Sequence, residues 1–379
     1  MRIVFICGSL EAGCDGVGDY VRQLALSLAD NDHTIAIVAV NDRFIMEIRE
    51  NTIQIGKNNV AELRLPEIMD IKEKKLFLKK WIDSFNPDWL SLQYVPFSFQ
   101  RRGLCFGLAK MLRYISIGRQ WELMVHEIGV GLNRESNLKE MLWGKVQTFL
   151  VADLINVLKP AVIHTQTLVY KKLIEKRGHP VILLSLFSNI PLVYPEAVKN
   201  KIDSKTVQNS IVDIVVFASI QPGGAVRELA IETADYGELH GLKFRLVLVG
   251  RSGKEQQKWI DAWQGAGSPV EILGEQSEDS VSKILSEVRF GIFTTPVLLA
   301  GKSGAVAAMR DHGIHLLCVS RSWNPRGLSN EGLNNAFNIF EYKPGGFAAY
   351  FQGKPDFNHM ATIHQTCNQF INDLLNFSL

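Results

Sequence analysis

Two glycine-bearing loops, one early and one late in the chain, carry residue types that can bring backbone amides against an anion. The first, GSLEAGCDGVGDY (8–20), follows the apolar run RIVFIC. Its glycines at 13, 16 and 18 let the main chain approach a ligand and open a helix whose N-terminal amides favour negative charge. The order G-x-x-G-x-G is not the dinucleotide fingerprint G-x-G-x-x-G. Asp42 nonetheless ends the next apolar run, where the ribose-binding acid of a dinucleotide fold would sit, so a nicotinamide-dependent oxidoreductase is one function class to weigh. The alternative is a turn needed only for tight packing. In the second loop, TTPVLLAGKSGAVAAMRDHG (294–313), Gly301 and Gly304 free the backbone, Lys302 offers a point charge and Ser303 caps a helix. That combination suits a diphosphate. It ends G-K-S like a P-loop, but Pro296 stands where that motif needs its first glycine.

A third element, VHEIGVG (125–131), places His126 at the end of a short apolar run, with Glu127 beside it and Gln93 and Tyr94 ending the run before. It is not H-E-x-x-H, so zinc-protease chemistry is excluded. A lone histidine there serves structure or ligand contact, and Glu127 with the glycines after it favours ligand contact. Asp30–Asn31–Asp32 resembles a D-x-D metal motif but falls where a helix should end. No His/Cys/Asp cluster has metal spacing, so no metal and no cofactor are expected.

These loops need strands and helices to present them, and the pattern supplies both. Apolar runs at 2–7, 33–42, 60–65, 89–93, 123–126, 161–164 and 181–186 alternate with helical periods at 17–30, 72–85, 104–114, 139–157 and 168–176. Pro, Asn, Ser and charge interrupt the rhythm at 188–210, and a second series follows. Its strands are expected at 211–218, 244–249, 270–273, 290–293 and 315–319, its helices at 227–236, 255–264, 280–287, 303–311 and 361–377. Repeated units of this kind predict α/β domains with doubly wound parallel sheets, whose ligands sit at the carboxyl ends of the strands.

The 379 residues, 46% apolar and 21% charged, suit a folded two-domain chain, and a net charge of +2 excludes a dedicated nucleic-acid binder. Five scattered cysteines argue against a disulfide framework and for a reducing, cytoplasmic setting. The start, MRIVFIC, carries no leader-like segment, and no apolar run reaches about 18 residues, so no membrane span is expected. Charge is uneven. Residues 1–190 hold 24 basic and 20 acidic side chains, and no acid falls between Asp88 and Glu122. That stretch interleaves Arg101, Arg102, Lys110, Arg113 and Arg119 with aromatic residues. It is either an ordinary solvated face or a surface for an anionic membrane, at the inner face of the plasma membrane, or for a phosphate-bearing substrate.

Taken in order, MRIVFICGSLEAGCDGVGDYVRQLA, PDWLSLQYVPFSF (87–99), VHEIG (125–129), SNIP (188–191), VVFASIQPGG (215–224) and the 294–313 loop resemble the GT-B glycosyltransferases, particularly family-4-like sugar transferases. The resemblance implies two Rossmann-like domains facing a central cleft, the first (1–190) for the acceptor and the second (211–355) for a nucleotide-sugar. A linker at 191–210 would join them, and a helix at 356–379 would cross back to the first domain. It implies His126 and Lys302 as the catalytic pair. Donor contacts would come from Gly16, Gly18, Ser219, Gly223, Gly224, Gly274, Gln276, Gly301, Ser303 and Gly304, with Gln93, Tyr94 and Glu127 on the acceptor side. Lys302 and a helix N-terminus can stabilise a departing nucleoside diphosphate without a metal.

The sequence departs from that pattern where the E-x7-E glutamates should be. Leu298 or Leu299 and Val306 or Ala307 occupy those places, and no acid lies between Glu287 and Asp311. The basic residue usual in ASIQPGG is missing, leaving Arg227 or Arg251 as substitutes. The expectation is hexosyl transfer, with retention, from a UDP-sugar, UDP-glucose by default, to a saccharide or lipid-linked acceptor in surface-polysaccharide synthesis. A non-catalytic nucleotide-sugar-binding protein is the other reading beside the oxidoreductase.

Overall fold

The computed structural model describes residues 1–55, 58–203, 211–329, 333, 339–353 and 361–377. The chain divides into two compact units: Met1–Ser185 with Asn324–Asn330 and Ala361–Leu379, and Leu186–Trp323 with Glu331–Met360.

Among the described residues the first unit is built on eight strands: β1 (Arg2–Cys7), β2 (Thr34–Asp42), β3 (Arg49–Ile55), β4 (Asn58–Pro66), β5 (Trp89–Tyr94), β6 (Gln120–Val125), β7 (Val162–Thr165) and β8 (Ile182–Leu183). Their order is β3-β4-β2-β1-β5-β6-β7-β8, parallel except for the β3–β4 pair. The chain leaves β1 on one side and returns beside it as β5, so the order reverses there and a crevice opens at the carboxyl ends of those two strands. Strand β1 is apolar and buried from Ile3 to Cys7, as a strand covered on both faces must be.

The second unit repeats the plan with β9 (Ile211–Phe217), β10 (Lys243–Val249), β11 (Val270–Gly274), β12 (Phe290–Phe293), β13 (His315–Cys318) and β14 (Phe340–Glu341), ordered β11-β10-β9-β12-β13-β14 and all parallel. One core, around Leu229, Trp259, Trp263 and Tyr350, covers one face of this sheet. Another, around Leu285, Val306 and Met309, covers the other.

Several expectations change. The stretch expected as linker contains a helix, Pro195–Asp203, in the second unit; Lys201 on it donates to the carbonyls of Leu285, Val288 and His312 at 2.8, 2.9 and 2.5 Å. Residues 204–210 of that stretch, and 354–360 around the expected 355/356 boundary, lie outside the described residues. The segment Asn324–Asn330 groups with the first unit although it lies within the sequence of the second. It is tied there by Asn324 N and Arg134 N, which donate to Asn133 Oδ1 (3.0 Å) and Asn324 O (2.9 Å).

Among the described residues one helix, Leu138–Leu158, is long and apolar enough to cross a bilayer, contrary to the expectation from run lengths. It sits on the first unit through Leu150, Val151, Leu154 and the wholly buried Gln147, whose Oε1 accepts from Val130 N at 2.8 Å. The last helix, Ile363–Asn376, opens with a capping box between Thr362 and Gln365 and packs in the first unit with Cys367, Phe370 and Leu374 buried.

Candidate functional site

At the crevice of the first sheet, the loop after β1 meets the short helix Pro96–Phe99 that follows β5. Ser98 donates to Asp15 Oδ2 at 2.8 Å, and Asp15 also caps the helix Gly16–Asp30 by accepting from Val17 N and Gly18 N. Gly18 is required by close approach, since a Cβ there would stand 2.7 Å from Ser9 O; Gly16 faces open space. Here a hollow of about 670 Å³ is lined by Cys14, Asp15, Gly16, Arg43, Phe44, Phe97 and Arg101 among others. Its aromatic faces and the Arg43 guanidinium suit a sugar bearing negative charge, Arg101 being paired with Glu67.

Asp42 does not reach a ligand. Its Oδ1 accepts from Ser9 Oγ (3.3 Å) and Phe44 N (3.0 Å), and its Oδ2 from Leu10 N (3.2 Å) and Arg64 Nε (2.8 Å). Those four bonds use the lone-pair sites of a carboxylate, leaving none for a ribose diol. Burial alone would raise its pKa; the bonds from Arg64, Phe44 and Leu10 outweigh that and hold it below its usual value. The acid that suggested a dinucleotide site is a structural knot.

At the ends of β5, β6 and β7 the structure gathers Gln93, His126 and Gln166. His126 is 6% exposed, with Nε2 2.9 Å from Gln93 Oε1 and Nδ1 3.2 Å from Gln166 Oε1, and Tyr20 meets its ring edge-on at 5.1 Å. Behind it run Ser91, Glu122, His164 and, from the last helix, Asp373. Burial would push the His164 pKa down, but the hydrogen bonds and charges of Asp373 and Glu122 prevail and raise it to about 9.

Sequence reading named Gln93 and His126 but missed Ser91, Glu122, His164, Gln166 and Asp373, although the strands carry a signal. Ser91-x-Gln93, Glu122-x-x-x-His126 and His164-x-Gln166 put polar groups at even spacing, hence on one face, within runs otherwise apolar. Two expected acceptor contacts are corrected. Tyr94 is fully buried and stacked on Phe99 at 6.0 Å, and Gln93, 1% exposed, is spent on Ser91 and His126. Glu127 is half-buried at the rim.

The basic stretch is largely committed inside the first unit. Arg101 grips Glu67 with two nitrogens, Arg119 pairs with Asp83 at 2.9 Å, and Arg113 donates to Val157 O at 2.8 Å. Arg101, Arg102, Lys110 and Arg113 are nevertheless exposed, so most of the stretch is still a solvated basic face.

At the second sheet the order reverses between β9 and β12, and the loops after these strands are tied by Gln221 N donating to Thr294 Oγ1 at 2.7 Å. Val297–Lys302 forms a 3-10 turn. Ser303 then caps the helix Gly304–Asp311, accepting from Val306 N at 3.4 Å. Lys302, Ser303 and Gly304 are half-buried at this helix N-terminus, and Gly301 is buried beneath them. Gly224 is held by packing, because a Cβ would lie 2.5 Å from Val319 O, and Gly223 rests against Arg321. Ser219 is exposed on the same loop.

Gly274 ends β11 with its carbonyl accepting from Gly250 N at 2.7 Å, and Gln276 donates to Leu273 O at 2.6 Å. Two expected donor residues have surroundings of their own. Arg251 pairs with Glu275 at 2.5 Å, and Arg227 lines a separate hollow with Lys258 and Asp261 on the helices Val226–His240 and Gln256–Gly265. Val306 and Ala307, where a glutamate is usual, are wholly buried. Among the described residues no group of three His, Cys, Asp or Glu side chains has the arrangement to hold a metal.

No protein-family model and no curated protein matches the sequence. Solved structures do match over the whole chain. A glycosyltransferase from Rickettsia africae has a TM-score of 0.60 at 12% identity, covering 99% of this chain and 98% of its own. Anabaena HepE, solved with UDP and glucose, has 0.57 at 12% identity, with 100% of both chains covered. The UDP-GlcNAc 2-epimerase of Neisseria meningitidis, bound to UDP-GlcNAc, has 0.52 at 11% identity, covering 99% and 100%. At such identities the likeness is one of fold, and a single fold here carries both a transferase and an epimerase. The chain therefore has the GT-B fold, two Rossmann-like units each with its sheet order reversing at a central strand.

Proposed function

We propose that this protein is a glycosyltransferase that moves a hexosyl group, glucose by default, from a UDP-sugar to a saccharide or lipid-linked acceptor in surface-polysaccharide synthesis. The observation that carries the reading is the half-buried Lys302–Ser303–Gly304 helix start at the β9/β12 reversal, on a fold shared with HepE, which was solved with UDP and glucose. A lysine and a helix N-terminus offset the charge that grows on a departing nucleoside diphosphate, so the reaction needs no metal and no cofactor. The hollow lined by Arg43, Phe44, Phe97 and Arg101 is the acceptor side of this reading. We place the protein in the cytoplasm, touching an anionic membrane through what remains exposed of the 101–119 stretch.

A second reading has its own support. With both glutamate places apolar and one of them buried, the chain would bind a nucleotide-sugar without turning it over. The oxidoreductase reading loses its basis in Asp42. Calorimetry with UDP, GDP and ADP, followed by release of UDP from a panel of UDP-sugars with and without oligosaccharide acceptors, separates the cases. Tight UDP binding with release of UDP supports transfer, binding without release supports the second reading, and no binding of any nucleotide ends both.

A further inference from the structure

The polar strip on the first sheet forms one directed chain of hydrogen bonds. Glu122 is wholly buried, and its Oε1 faces His164 Nδ1 at 2.9 Å while His164 Nε2 faces Asp373 Oδ2 at 3.1 Å. Between two carboxylates the imidazole donates from both nitrogens, and Glu122 is left as an acceptor. Ser91 Oγ, 2.6 Å from Glu122 Oε2, must then give its proton to that oxygen. It can only accept from the Gln93 amide, 2.7 Å away, which fixes that end as the NH2 group and turns Oε1 towards His126. His126 Nε2, 2.9 Å from Oε1, must therefore bear hydrogen. Each assignment follows from the one before, and the first is fixed by a charge.

We infer that Ser91, Gln93 and Glu122 are positioning residues that hold His126 in its Nε2–H tautomer, with His164 and Asp373 of the last helix anchoring the far end. This rests on the reading of His126 as the residue that meets the transferred sugar. The consequence is that Nδ1 is the accepting nitrogen of the neutral ring. Gln166 covers it: Oε1 stands 3.2 Å from Nδ1, while Gln166 Nε2 is buried with no hydrogen-bond partner among the described residues. Turning that amide over gives the NH2 group the Nδ1 lone pair as acceptor, and a sugar hydroxyl taking Gln166's place would donate to the same lone pair.

Nitrogen-15 NMR of the full chain labelled at histidine tests the assignment directly. At pH 7 His126 should show a protonated Nε2 and a bare Nδ1; an Nδ1–H tautomer, or an even mixture of the two, overturns the inference without any variant. Ser91→Ala frees the Gln93 amide to rotate, so the His126 signals should move towards a mixture. The kcat for UDP-sugar turnover should fall about tenfold, the lower end for groups that orient a functional imidazole, with KM little changed. Ser91→Thr, which keeps the hydroxyl, should restore both. Unaltered His126 signals in Ser91→Ala sink the proposal. If the protein turns over no UDP-sugar, the functional reading fails while the nitrogen spectrum still decides the tautomer.

Discussion

The two sheets build their strand-end sites from different parts of the chain. The first uses side chains in series: Asp373, His164, Glu122, Ser91, Gln93 and His126 are linked one to the next, mostly out of contact with water. The second uses main chain, with a 3-10 turn and a capped helix start offering amides and a single lysine. A side-chain chain fixes a protonation state but fails when any member is lost, because each buried polar group depends on its neighbour. A backbone site tolerates changes in most side chains and depends on the path of the loop. The difference suits the two tasks proposed, orienting a ring at the sugar and neutralising a diphosphate.

The contrast can be broken most severely at Glu122. Glu122→Ala leaves a buried charged histidine with Asp373 as its remaining carboxylate and takes the acceptor from Ser91, and should destabilise the protein by about 3–5 kcal/mol, measured as a shift in the urea midpoint. A loss of less than about 1 kcal/mol would show that water replaces the chain. Next in size, Lys302→Ala should weaken UDP binding by about 1.5–3 kcal/mol in calorimetry and leave the urea midpoint nearly in place, since what it removes is a charge-assisted contact to the ligand. Equal losses in binding and stability would make Lys302 structural.

A third pair of variants sharpens the comparison within one loop. Gly18→Ala drives a methyl group into Ser9 O and should cost about 1–3 kcal/mol. Gly16→Ala meets open space at the first turn of a helix and should be neutral or stabilising by up to about 1 kcal/mol. If both destabilise alike, the hollow beside Gly16 is not open.

The gentlest probe is pH. The His164 pKa is raised to about 9 in the folded protein, against about 6.5 unfolded, so the folded state holds the extra proton between those values. Its contribution is complete below about 6.5 and is lost as pH rises through about 9. Stability should decline over that window in the parent and decline less in Asp373→Asn, as chemical denaturation at stepped pH would show; parallel profiles contradict the assignment.

Much of the fold was legible because parallel strands covered on both faces must be continuous apolar runs and their helices must carry a stripe, as in Ile3–Cys7 and the helix Gly16–Asp30. Strand β3, RENTIQI, escaped because it is polar, at the sheet edge and antiparallel, held by its pairing to β4 rather than by a buried face. The helix Pro195–Asp203 escaped because its low apolar content reads as a connection. The capped helix start at 301–304 was visible because glycine, lysine and a capping serine are adjacent in sequence, and their chemistry is local.

The sequence by itself therefore determined the alternation of strands and helices, the doubly wound parallel class that follows from it, and the local chemistry of the 301–304 loop. Tertiary structure alone decided the fate of single side chains. It spent Asp42 on Arg64, buried Tyr94, committed Arg251 to Glu275, and joined Asp373 to His164 across 209 residues of chain. The reason is physical: a backbone site is written in adjacent residues, whereas a side chain's role depends on which distant groups fill its hydrogen bonds once water is gone.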